Sequence, residues 1–211
     1  MKILLDTIDT KVIKKYYDAG ILYGVTTNPT LAKRFGMSDD IEMINTIRSV
    51  MKTGEIHVEA FGDTAEEIVK NAQRIRNSTK SGNLVFKVPF SLEGIKAVNQ
   101  LQKDGFRTNL HLIFSINQSL IASEVGSDYI CPLVGRLDDI GHDAAENLKK
   151  IKQAYKLSNS PTKIMVSSVR HPKHVQEAFL LGADVITVPP AVLDKMFNHP
   201  LTDIGFNQFK K

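Results

Sequence analysis

Residues 83–114 read NLVFKVPF SLEGIKAVNQLQKDGF RTNLHLIF, and the placing of apolar residues in this stretch decides the fold. Asn83–Phe90 and Arg107–Phe114 are apolar runs of strand length. Between them, Leu92–Lys103 has apolar residues at helical spacing, as a helix with one buried face requires. Gly105 then stands where a helix C-cap needs the left-handed conformation, letting the chain turn sharply back into a sheet. A strand, a helical crossover and a second strand make two parallel strands, because only a crossover connection returns the chain in the same direction.

The same unit recurs outward in both directions. Further strand candidates are Lys2–Thr7, Tyr23–Asn28, Glu55–Phe61, Tyr129–Gly135, Lys163–Val169 and Asp184–Pro189. Asp63–Arg76, Asn117–Glu124 and Asp143–Leu157 carry the helical pattern between them, and Gly20, Gly126 and Gly182 repeat the role of Gly105. Eight strand-then-helix units predict an α/β protein: a single (β/α)8 TIM barrel over residues 1–211 with a short C-terminal helix. Closure leaves no exposed sheet edge. The competing open, doubly wound sheet lacks a Gly-x-Gly-x-x-Gly after its first strand. At 211 residues the chain lies near the lower size limit of the barrel.

Composition narrows the setting. A hydrophobic fraction of 42% and a charged fraction of 24% are those of a globular protein rather than a disordered one. The single cysteine, Cys131, forbids an internal disulfide and suits a reducing cytoplasm, the expected location. Asp6 interrupts the N-terminal apolar run too early for a signal peptide, and no run reaches membrane-spanning length. The net charge is +4, with basic pairs at Lys14-Lys15, Lys149-Lys150 and Lys210-Lys211. These read as solvated surface, and without Trp or an aromatic-basic stripe no nucleic-acid partner is expected. A mild positive excess does suit small anionic substrates.

Barrel chemistry gathers at the C-terminal strand ends. Those ends carry Asp6; Thr26 and Asn28; Glu59; Lys87; Asn109 and His111; Cys131 and Arg136; and Ser168 with Arg170. Seven successive strands thus bring polar groups to one rim. Lys87 interrupts a run otherwise fit for full burial, either as a lysine that snorkels from the strand end or pairs with a carboxylate such as Glu59, or as a desolvated amine that attacks a carbonyl. Asp6 either caps the next helix or, with Glu59, handles protons. Arg136, Ser168 and Arg170 form either a phosphate grip or surface arginines beside a capping serine. Asp138-Asp139-Ile140-Gly141-His142-Asp143, with His171 and His174, has the residue types of a metal loop but no known ligand spacing, and reads as a capped, solvated loop.

At these residues the chain resembles the small-subunit transaldolase group that includes the fructose-6-phosphate aldolases. The matching segments are Leu5-Asp6-Thr7, Gly24-Val25-Thr26-Thr27-Asn28-Pro29-Thr30-Leu31, Val85-Phe86-Lys87-Val88-Pro89, Val134-Gly135-Arg136-Leu137-Asp138-Asp139, Ser167-Ser168-Val169-Arg170-His171-Pro172 and His199-Pro200-Leu201-Thr202-Asp203. They span nearly the whole chain in order.

The resemblance implies that Lys87 forms a Schiff base with a ketose. It makes Asp6 the base for the substrate hydroxyl and gives Glu59 the water-mediated proton transfers of imine formation. Asn28 and Asn109 fall where the family hydrogen-bonds substrate, and Arg136, Ser168 and Arg170 where it grips phosphate. Glu59 and Asn109 lean toward transaldolase over aldolase. The implied reaction moves a dihydroxyacetone unit between sugar phosphates of the non-oxidative pentose phosphate pathway, with no cofactor because the imine is the electron sink. Release of free dihydroxyacetone, or a non-catalytic sugar-phosphate-binding barrel, are the alternatives. A homo-oligomer, pentamer or decamer, is also implied. The chain departs from the pattern at His111 (usually Thr, holding the catalytic water), Cys131 (usually Ser) and Leu133 (usually Phe or Tyr).

Overall fold

A computed structural model describes residues 1–79 and 81–210; Lys211, in the terminal basic pair, lies outside the described residues. The strands are β1 (Lys2–Asp6), β2 (Gly24–Thr26), β3 (Glu55–Glu59), β4 (Leu84–Pro89), β5 (Arg107–Ile113), β6 (Tyr129–Pro132), β7 (Lys163–Val166) and β8 (Val185–Val188). All pair in parallel in sequence order, and β8 pairs with β1 to close a (β/α)8 barrel. The helices are α1 (Thr10–Asp18), α2 (Pro29–Arg34), α3 (Asp40–Val50), α4 (Ala65–Ser78), α5 (Leu92–Lys103) and α6 (Ile116–Glu124). They continue as α7 (Val134–Asp139), α8 (Ala144–Ser158), α9 (Pro172–Leu180), α10 (Pro190–Met196) and the C-terminal α11 (Pro200–Phe209).

All eight expected strands are present, and each ends one to three residues earlier than the apolar pattern suggests. The largest corrections are at β6 and β7. Val134 and Gly135 begin α7 instead of ending a strand, and beyond β7 Ser167 keeps a single bridge to Leu133 while Ser168 and Val169 run on as a loop. Gly20, Gly105, Gly126 and Gly182 do take positive φ between 72° and 77° at helix ends.

Two packed layers follow from the alternation of side chains along each strand. The outer layer is the main apolar core, with residues such as Leu5, Val25, Ile56, Phe86 and Leu110 packed under the helices. The inner layer fills the barrel with Leu4, Val85, Tyr129, Met165 and Val185. Below the rim this interior turns polar: Glu55, His57 and Asn109 are all buried. The barrel is therefore a plugged cylinder with its opening at the C-terminal strand ends.

Candidate active site

A cavity of about 490 Å³ opens at that rim. Lys87 and Glu59 lie at its base, only 7% and 5% exposed. They stand opposite each other on paired strands, and Lys87 Nζ donates to Glu59 Oε1 at 2.6 Å. A second donation runs from Nζ to the Thr27 carbonyl oxygen at 3.0 Å. Burial alone would raise the Glu59 carboxyl. The Lys87 charge and His111 outweigh it and hold the group below its ordinary value. The lysine is thus both paired and buried, so the paired and the desolvated readings of it describe the same geometry.

His111 follows Asn109 by two residues on β5 and faces the same cavity. Its Nε2 lies 2.9 Å from Glu59 Oε2. The contact is not aligned as a hydrogen bond, and both atoms are buried without a hydrogen-bonding partner. Burial, opposed by Glu59, lowers the His111 pKa, which favours a neutral ring. Leu112, next along, has φ of 61° where the β5–β6 register shifts. A leucine in this region is strained, and the bulge lets both His111 and Leu112 line the cavity.

Asp6 stands on another wall, at the end of β1. Its Oδ1 accepts from Thr26 Oγ1 at 2.8 Å and Asn28 Nδ2 at 3.3 Å. Burial raises the Asp6 pKa, against the lowering effects of the Thr26 hydrogen bond, the Lys87 charge and the Asn28 amide. The helix-capping alternative falls away, because Asp9 caps α1 by accepting from Lys11 N and Val12 N. Asn28 shows how local sequence sets the geometry. Its Oδ1 caps α2, accepting from Leu31 N at 2.9 Å, and Pro29 occupies the first helical turn. With its oxygen committed to the cap, only the amide nitrogen is left for Asp6.

Arg136, Ser168 and Arg170 line the outer part of the cavity. They come together because Gly135 N donates to the Ser168 carbonyl at 3.1 Å, pinning α7 to the loop after β7. Ser168 is left-handed, with φ of 60°. Arg170 makes an exposed ion pair with Asp139 at 2.8 Å, a contact weak enough for an arriving anion to replace. The neighbouring loop is used up structurally. Asp138 accepts from Ala144 N and contacts His174 Nε2 at 2.6 Å, while Asp143 caps α8. Among the described residues no group of three or more His, Cys, Asp and Glu is placed to hold a metal ion. No helix of the described residues is long and apolar enough to cross a membrane.

Cys131 lines the cavity and is buried, which pushes its thiol up to about 11. Of the expected site residues, Asn109 alone is absent from the lining: it sits fully buried one layer deeper, bonded through Nδ2 to His57 Nδ1 at 3.1 Å. Thr187 and the Thr27 carbonyl were missed. Thr187 Oγ1 lies 2.6 Å from Thr26 Oγ1 and lines the cavity. Its signal was in the sequence, as the one polar residue of the apolar strand Val185–Val188. The Thr27 contact is made by backbone, which no residue type announces.

A buried lysine–carboxylate pair, a second carboxylate across the cavity and two arginines at the mouth are equipped for imine chemistry on a phosphorylated carbonyl compound. Comparisons with known proteins place the chain in a family. A curated protein from Methanococcus vannielii named "probable transaldolase" is 46% identical over 209 residues, covering 99% of this chain and 95% of its own. One of the same name from Brachyspira hyodysenteriae is 44% identical, covering 100% and 96%. Among solved structures, thiamine phosphate pyrophosphorylase from Pyrococcus furiosus matches with a TM-score of 0.61 at 14% identity, over 90% of this chain and 86% of that one, a likeness of fold alone. The family model described as transaldolase/fructose-6-phosphate aldolase matches residues 3–211, and with the relatives it shows that this chain belongs to that family.

Proposed function

We propose that this protein is a transaldolase that carries a dihydroxyacetone unit between sugar phosphates as a Schiff base on Lys87, in the cytoplasm. The observation that carries the reading is the buried Lys87–Glu59 pair at 2.6 Å, facing a cavity that Asp6 also lines. Transfer of the Nζ proton to Glu59 frees the amine lone pair to attack the ketone of fructose 6-phosphate or sedoheptulose 7-phosphate. Glu59 then returns a proton to the carbinolamine hydroxyl, which leaves as water. Asp6 removes the proton of the hydroxyl next to the bond that breaks, and the protonated imine accepts the electron pair. An aldose phosphate departs, and the enamine left on Lys87 adds to glyceraldehyde 3-phosphate or erythrose 4-phosphate by the reverse steps.

His111 gives this chain its own variant of the proton path. Where the family usually holds a water with Thr, a neutral ring stands 2.9 Å from the free oxygen of Glu59. The imidazole can take up and return the proton that Glu59 exchanges during dehydration. Arg136 and Arg170 would grip the distal phosphate of donor and acceptor alike.

The test is product analysis. Fructose 6-phosphate and erythrose 4-phosphate, incubated with the protein, should yield sedoheptulose 7-phosphate and glyceraldehyde 3-phosphate, and Lys87→Ala should abolish both. Free dihydroxyacetone as the main product, whether or not an acceptor is present, would replace transfer by aldol cleavage. Sugar-phosphate binding without turnover, undiminished in Lys87→Ala, would make the barrel a binding protein.

A further inference from the structure

Beneath the cavity lies a chain of buried polar groups that the proposed reaction does not use. Glu55, at the start of β3, makes an ion pair with Arg107 Nη1 at 2.7 Å and accepts from the hydroxyls of Tyr129 at 3.0 Å and Tyr23 at 3.2 Å. Its other oxygen lies 3.0 Å from His57 Nε2. Across the ring, His57 Nδ1 lies 3.1 Å from Asn109 Nδ2. Asn109 is the register partner of Lys87 on β5, between Arg107 below and the cavity-lining His111 above.

The donor and acceptor roles along this chain follow from one another once the His57 ring is neutral. Burial alone would raise the Glu55 carboxyl, but His57 and Arg107 outweigh it and draw it down to about 2, so it is a carboxylate that can only accept. His57 Nε2 must then carry the proton that Glu55 accepts. Burial, opposed by Glu55, lowers the His57 pKa and favours a neutral ring, in which a proton on Nε2 leaves Nδ1 to accept. Asn109 must meet it with the NH2 end of its amide, since an oxygen there would face a lone pair. Nδ2 has a further weak contact with Met165 Sδ at 3.7 Å. Oδ1 is left buried, on a fully buried side chain, with no hydrogen-bond partner. Buried acceptors rarely stay unpaired unless something arrives to pair with them.

Resting on the lysine-imine reading above, we propose that Glu55 and His57 are a positioning pair. They lock the Asn109 amide with its nitrogen on His57 and its unpaired oxygen on the opposite side, one layer beneath the Lys87 cavity, and so set which end of that amide is free for the donor-hydroxyl contact that the family resemblance gives to Asn109. The two residues touch no substrate themselves. They act through Asn109, reading the donor's hydroxyl by fixing which end of an amide meets it.

Two measurements test this, and the first needs no activity. In histidine-15N-labelled protein at pH 7, the His57 resonances, identified by their loss in His57→Leu, should show a protonated Nε2 and a bare Nδ1. A ring protonated at Nδ1 overturns the proposal, whatever the protein catalyses. The second compares variants with dihydroxyacetone as the probe, trapped on Lys87 by borohydride. His57→Leu removes the acceptor for Asn109 and should raise the concentration for half-maximal trapping about tenfold, with the saturating yield little changed. His57→Asn places an oxygen where Nδ1 stood and should restore most of that affinity. A folded His57→Leu that traps dihydroxyacetone as tightly as the parent overturns the proposal. Failure of the parent itself to trap any ketone counts against the lysine-imine reading, and the tautomer measurement then decides the positioning pair alone.

Discussion

Gly135→Ala should disable the proposed anion grip of Arg136, Ser168 and Arg170 without touching a charged residue. A Cβ at Gly135 would lie 2.1 Å from the Ser168 carbonyl oxygen and 2.8 Å from Arg170 Cγ and Nε. Ordinary contact begins at 3.4 Å, so the methyl group is short of room by 1.3 Å. The arginine atoms can swing aside; the carbonyl cannot, since it belongs to a left-handed residue and accepts from Gly135 N itself. The α7 segment must therefore move off the β7 loop by roughly 1 Å, carrying Arg136 away from Ser168 and Arg170. Misplacement on that scale costs about 100-fold in rate, or about 2.7 kcal/mol. The assay is kcat/KM for fructose 6-phosphate, beside borohydride trapping of dihydroxyacetone, which has no phosphate. The first should fall about 100-fold while the second changes less than about threefold. A folded variant that keeps parental kcat/KM for the phosphorylated donor would refute the reasoning.

Other perturbations probe the remaining walls of the site. Thr26→Val removes a hydrogen bond to the Asp6 carboxylate worth about 1.5–3 kcal/mol, so the acid limb of kcat/KM should move up by about one pH unit or more; an unmoved limb would count against Asp6 as the base. Cys131→Ser should lower KM for donors with a terminal hydroxyl by a few-fold at most, roughly 1 kcal/mol, and the parent thiol, raised to about 11, should resist iodoacetamide at pH 7 until the protein unfolds. Glu55 is depressed from 4.5 to about 2, so its stabilisation is complete above pH 4.5 and lost as pH falls toward 2; melting temperature should drop across that window in the parent and less in Glu55→Gln. Leu201, Ile204, Phe206 and Phe209 of α11 are exposed, and we expect this helix to dock on a second copy; light scattering should give a pentamer or decamer, and a monomer at micromolar concentration would count against it.

Much of this molecule could be read from residue order because barrel units are local. Periodicity switches from strand to helix within each unit, and Gly105 or Gly182 marks each return. Lys87 stood out for a similar reason, as a charge inside an apolar run. What stayed hidden depends on contacts between distant segments. The Val134-Gly135 pair looks like strand, and only the close approach of Ser168 explains why the chain turns there into α7. Nothing in Leu112 or Ser168 announces a left-handed backbone, since neither is a glycine or asparagine. Asn109 reads as a strand-end residue, yet β5 runs on four residues beyond it to Ile113. Its depth comes from barrel stagger and from His57, whose pairing with Glu55 across one intervening residue is visible only once both face inward.

The central claim is the covalent bond to Lys87, and intact mass measured after incubation with fructose 6-phosphate and borohydride tests it most directly. The account predicts a reduced three-carbon adduct on the folded protein that vanishes in Lys87→Ala. No adduct on the folded protein, or an adduct that persists in Lys87→Ala, would contradict it.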